Sequence, residues 1–188
     1  RTMSSWGRRP LRARDAIVIS LLLIGGLTAA GGYSLLRSHG FSAREKPWVI
    51  ESFFARKVRW LATPAGVREM VNPLEPTELA VAEARDHFAD HCATCHGNDG
   101  SGRTMINAGL YPPAPDLRDK ETQGLSDGEI FSIVKNGIRF TGMPGFGGED
   151  AENWKLVLFI RPLPLLSAEE REMMAEINGQ KEGNHDGH

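Results

Sequence analysis

Five consecutive residues, Cys92-Ala93-Thr94-Cys95-His96, have the types and spacing to do chemistry. Two thiols three residues apart lie on one helical turn, where each can add to a vinyl group of haem. The adjoining imidazole is then carried to the iron. This C-x-x-C-H spacing reads as a c-type haem attachment site. Three other chemistries use similar residues. A thioredoxin-like dithiol wants C-x-x-C beside a βαβ pattern, and no strand run flanks this one. A structural zinc site needs four ligands, usually in two separated pairs, and Cys92 and Cys95 are the only cysteines. A short-range disulfide in an oxidising compartment remains the third alternative.

Helices and loops must position these groups. Thr77 can N-cap a helix from Glu78 towards Cys92, with Val81, Ala84, Arg85 and Phe88 on one face. After His96, Gly97, Gly100 and Gly102 lead into Tyr111-Pro112-Pro113-Ala114-Pro115-Asp116-Leu117, which predicts a loop wrapping the cofactor edge. Ser126 and Glu129 form a capping-box pattern. Ile130, Ile133 and Val134 give that helix an apolar face, and Asn136-Gly137 is its stop signal. A Gly/Pro loop centred on Met143 follows. A third helix is expected from about Ala151 to Arg161, with Trp154, Val157 and Leu158 at helical spacing, ended by Pro162. No useful strand pattern appears. Ser167 to Glu170 forms another capping box, for a short helix reaching Ile177. The end of the chain, with His185 and His188, reads as disordered.

Upstream, the 21 residues from Ala16 to Leu36 carry no formal charge, which suits a transmembrane helix of about 20 residues. Arg8, Arg9, Arg12 and Arg14 precede it, so the positive-inside rule places the following residues on the outer face. A cleaved signal peptide shares these features, but the run is longer than the usual apolar core of one, so a retained anchor is expected. Gly25 with Ala29, and Gly26 with Ala30, offer small residues for close approach of another membrane helix. From Phe41 to Thr63, Trp48, Ile50, Phe53, Phe54 and Leu61 recur near helical spacing among Arg56, Lys57 and Arg59. That mixture fits a helix at the membrane surface or against a partner; packing on the chain's own domain is the alternative. Pro64 to Pro76 reads as linker.

Charge is distributed unevenly. Residues 1–70 hold 12 Lys and Arg against 4 Asp and Glu, whereas the remainder holds 10 against 20, so the formal net charge of −2 is a cancellation. Such asymmetry implies different neighbours for the two halves, and an acidic second half favours a basic docking surface.

From Leu79 to Leu163 the chain resembles a class I (monohaem) cytochrome c. The residues that carry the resemblance are Phe88, Cys92 to His96 with Gly97, Pro112 to Leu117, Asn136-Gly137, Gly142-Met143-Pro144 and Trp154. It implies an all-α fold, a small haem domain whose first and last helices cross, here behind an N-terminal transmembrane helix. It also implies one covalently attached haem c held by Cys92 and Cys95, with His96 and Met143 as axial iron ligands. Pro112 or Pro113 would supply a carbonyl that orients His96, and Trp154 would stand among the cofactor-binding residues. Of the other methionines, Met105 is only nine residues past His96, Met70 precedes the domain, and Met173 and Met174 follow it.

The resulting organisation is a basic terminus (1–15), a transmembrane helix (16–37), an interfacial segment and linker (38–76), a haem domain (77–165) and an acidic tail (166–188). Met/His ligation raises the reduction potential and leaves no open iron site, so electron transfer is expected and catalysis is not. The expected partners are the lipid bilayer and a membrane-embedded redox complex: a respiratory oxidase, a quinol-oxidising complex or a photosynthetic reaction centre. No nucleic acid and no small-molecule substrate are expected. The haem domain would lie on the periplasmic side of the cytoplasmic membrane. Two alternatives are a structural subunit with a secondary haem, and a sensor or enzyme that binds a small ligand at the iron.

Overall fold

The structure, a computed structural model, describes residues 12–40 and 42–178. Arg8, Arg9, His185 and His188 lie outside the described residues. The chain divides into two compact units, Arg1–Ser42 and Ala43–His188.

In the first unit, helix α1 spans Ala13–His39. At about 1.5 Å per residue it is about 40 Å long, more than the hydrocarbon thickness of a bilayer. Ala13–Ser38 is long and apolar enough to cross a membrane. Within its apolar run the Thr28 hydroxyl is satisfied locally, donating to the Ile24 carbonyl at 2.7 Å. A Cβ at Gly25, Gly26, Gly31 or Gly32 would meet nothing within 4 Å.

The second unit is all-helical among the described residues. Its elements are α2 (Val49–Ala62), α3 (Ala65–Arg68), α4 (Glu78–His87), one π-type turn (Phe88–Cys92), α5 (Ala93–His96), α6 (Lys120–Gln123), α7 (Asp127–Asn136), α8 (Asp150–Ile160) and α9 (Ala168–Asn178). Local chemistry sets their ends. The Thr77 hydroxyl accepts from the Ala80 N–H at 3.2 Å to start α4. At α7 both halves of the capping box form, with Ser126 and Glu129 exchanging bonds of 2.9 and 3.2 Å. Gly137, at φ 68°, ends that helix.

The core forms where α4 and the π turn pack on α8, and α8 on α7. Ala84, Ala89 and Ala93 are almost fully buried and let backbones approach, while Phe88 and Phe159 fill the space between them, with ring centroids 5.2 Å apart. Each such phenylalanine contributes about 1.5–3 kcal/mol by burial. Arg161 ties the end of α8 to the start of α7, donating to the Gln123 and Leu125 carbonyls at 2.9 and 2.7 Å and to Asp127 at 2.6 Å.

Two segments pack more closely than their composition suggests. In the Pro64–Pro76 stretch, α3 lies against α7, where a Cβ on Gly128 would come within 1.8 Å of the Val67 carbonyl oxygen. Asn72 then donates to the Trp154 carbonyl at 2.9 Å. At the other end, α9 packs on the π turn and α4, and Met174 is fully buried.

Candidate functional site

The π turn and α5 deliver Cys92, Cys95 and His96 to the wall of a cavity of about 370 Å³, and Met143 lines the same cavity from the loop after α7. Most of the remaining lining is apolar: Phe88, Leu110, Leu125, Ile130, Val134 and Leu156 are among it. A π turn widens the helix locally, and such turns recur at functional sites. Here it spans the residues that lead into the first cysteine.

His96 is 8% exposed. Burial pushes its pKa down, and the Pro115 carbonyl opposes that by favouring the protonated ring. Its Nδ1 is buried with no hydrogen-bond partner among the described residues. The carbonyl that bears on the pKa of this imidazole is that of Pro115, which lies close in the chain to Pro112 and Pro113, the two to which the sequence pointed. All three prolines line the cavity, and proline spacing alone does not say which carbonyl turns inward.

Cys92 and Cys95 are free, half-buried thiols. Burial, then the neighbouring Cys95, pushes the Cys92 thiol up to about 12. A redox-active dithiol needs a thiol of lowered pKa, so the environment opposes that chemistry.

The loop between His96 and α6 is held by one side chain that sequence reasoning missed. Asn107, 6% exposed, donates to the Gly102 and Ala114 carbonyls at 2.5 and 3.1 Å and accepts from the Ala114 N–H at 2.5 Å. It joins the glycine-rich strand of the loop to the proline-rich one. Gly102, at φ 71°, has no room for a Cβ, which would sit 2.8 Å from the Ala114 oxygen. Arg118 adds a second brace, pairing with Asp99 at 3.0 Å and Asp116 at 2.7 Å.

The Met143 loop is held differently. It doubles back on the end of α7 so that the Phe146 and Gly147 N–H groups cap the Val134 and Lys135 carbonyls at 3.1 and 2.9 Å, and Ile138 N–H bonds the Met143 carbonyl at 3.1 Å. The approach is so close that a Cβ on Gly137 would lie 2.5 Å from Gly145 N.

Trp154 is not brought to the cavity. It is buried and stacks on Phe131 with centroids 4.2 Å apart. On α8 the cavity is lined by Leu156 and Ile160; at 100° per residue, Trp154 lies nearly on the opposite side of the helix from Leu156. It is a core residue. Arg59 of α2, in contrast, lines the cavity, although nothing in its sequence neighbourhood sets it apart from Arg56 and Lys57.

The donor set fits a covalently held haem. Two thiols, one buried imidazole and one thioether face a single apolar cavity, and the fold that presents them is all-helical. Residues 79–160 match the family model described as Cytochrome C oxidase, cbb3-type, subunit III. This stretch is a c-type cytochrome domain of class I character, which implies haem c and haem-based electron transfer. No curated protein matches the chain.

Proposed function

We propose that the chain is a membrane-anchored monohaem cytochrome that relays single electrons on the outer face of the cytoplasmic membrane, to or from a larger membrane redox complex. The observation that carries this reading is the convergence on one cavity of Cys92, Cys95 and His96 with Met143, which is 47 residues further along the chain from His96.

In this reading Cys92 and Cys95 would hold the haem through thioethers, His96 and Met143 would hold its iron, and a nearby proline carbonyl such as that of Pro115 would orient the His96 ring. The bound group supplies a one-electron couple, which Met/His ligation biases towards high potential. The surrounding residues keep water away and hold the ligands still, so little reorganises when the charge changes. Residues 16–37 would serve as the anchor and 77–165 as the haem domain. The arginines before α1 support the outer-face placement. A tether replaces affinity with effective concentration, which suits the small interfaces of transient electron transfer.

Visible spectroscopy of the intact protein, exported with haem-attachment machinery, tests this. The expected result is one covalent haem per chain by pyridine haemochrome, a methionine-to-iron charge-transfer band in the oxidised form, and no shift of the reduced spectrum under carbon monoxide. A carbon monoxide shift at neutral pH would move the protein to the small-ligand class. Purification in mild detergent tests the partner: a membrane redox complex is expected to accompany the chain, with rapid electron exchange between them.

A further inference from the structure

Helix α2 lies outside the matched stretch 79–160, yet it reaches the cavity. Its only half-buried residues are Ser52 and Arg59, seven positions apart and therefore two turns along one stripe. Arg56, between them on that side, pairs with Glu121 at 3.4 Å, and the Tyr111 hydroxyl donates to Glu51 at 2.6 Å. Near the end of α2, the Arg68 guanidinium sits 4.4 Å from the centre of the Trp60 ring. It also donates to the Trp60 and Thr63 carbonyls, the first at 2.8 Å. The apolar residues Ile50, Phe53, Phe54 and Leu61 are exposed, and no α2 residue is buried. The helix is thus held to the domain by polar contacts, and what its inner stripe delivers to the cavity is a charge.

Among the described residues, Arg59 is the one Lys, Arg, Asp or Glu lining that cavity. Arg56, Arg85, Arg118 and Arg161 each pair with a carboxylate, but Arg59 has no ion pair and no side-chain hydrogen bond with any described residue. A half-buried arginine on the wall of an apolar cavity calls for an anion, and its forked donors match a carboxylate. A haem in this cavity brings two propionate carboxylates. We propose that Arg59, supplied by α2 from outside the cytochrome domain, is the cationic partner of a haem propionate, which makes α2 part of the cofactor site. This rests on the haem reading above. Since the ferric centre carries one more positive charge than the ferrous, a cation at Arg59 disfavours the oxidised form and raises the potential.

Spectroelectrochemical midpoints of the intact holoprotein test it, with Arg59→Gln, Arg59→Lys and Arg56→Gln compared. Arg59→Gln is expected to raise the ratio of oxidised to reduced protein several-fold at a fixed potential, towards the tenfold change that corresponds to a fall of about 59 mV for one electron. Arg59→Lys is expected to restore most of the shift. Arg56→Gln removes an equal charge from the same helix and is expected to leave the midpoint near that of the parent. An unchanged midpoint in Arg59→Gln, or an equal shift in Arg56→Gln, overturns the assignment. Pyridine haemochrome on each sample separates the two failures: absent covalent haem sinks the haem reading, whereas intact haem with an unmoved midpoint sinks only the role of Arg59.

Discussion

The two loops that line the cavity are built on opposite principles. The loop after His96 is held by side chains, with Asn107 bridging Gly102 and Ala114 and Arg118 bridging Asp99 and Asp116. The Met143 loop is held by its own backbone, folded onto the free carbonyls at the end of α7. A side-chain brace concentrates its energy in one residue, which a substitution can remove. A backbone brace is spread over several N–H groups and fails only where a Cβ blocks the close approach.

That contrast sets the order of expected effects on stability. Asn107→Ala removes three hydrogen bonds and strands buried partners, and is expected to cost about 3–5 kcal/mol in denaturant unfolding. A cost under about 1 kcal/mol would mean that the two strands of the loop hold together without it. Gly137→Ala places a Cβ at φ 68° against Pro144 and Gly145, at an expected cost of about 2–3 kcal/mol. It should also weaken the methionine-to-iron band while leaving covalent haem in place. The same band surviving at full strength would show that the Met143 loop tolerates displacement from α7.

Smaller still is the acid response of the Arg118 brace. The hydrogen bond from Arg118 holds the Asp116 carboxyl below its usual range. Asp99 is also lowered: burial pushes it up, but bonds from Ser101 and the charge of Arg118 outweigh that. A carboxylate lowered on folding stabilises fully above its unfolded pKa, roughly 4, and the contribution disappears as pH falls through the folded value. Asp116→Asn is therefore expected to flatten the acid side of a plot of Tm against pH below roughly pH 4, and to cost under about 1 kcal/mol at neutral pH. Met143→Leu keeps volume and is expected to change the stability of the haem-free fold by less than about 1.5 kcal/mol. In the holoprotein it should abolish the methionine band, lower the midpoint and open the iron to carbon monoxide.

The same contrast explains what was legible in the sequence. The capping box at Ser126 and Glu129, the stop at Gly137 and the helix ended before Pro162 are signalled by residues three or four apart, and each formed where expected. Gly142-Met143-Pro144 marks a loop by composition, and Met143 does reach the cavity. Asn107 bears no such mark, because its partners are five and seven residues away in a loop with no period. Pro115, Arg59 and Met174 reach their places through packing between distant segments, which no local pattern encodes. Trp154 was misplaced for a related reason. Helical spacing says that a residue faces inward, but the interior of this domain contains both a cavity and a solid core, and only tertiary structure separates the two.

Met174 has a consequence for the order of events in the cell. It is fully buried against an assembly that includes the turn ending at Cys92, yet it is synthesised long after the cysteines. A chain that emerges amino end first therefore exposes its haem-attachment segment before the helix that seals that region exists. The fold closes over the turn that leads into the cysteines only when residues 168–178 are in place.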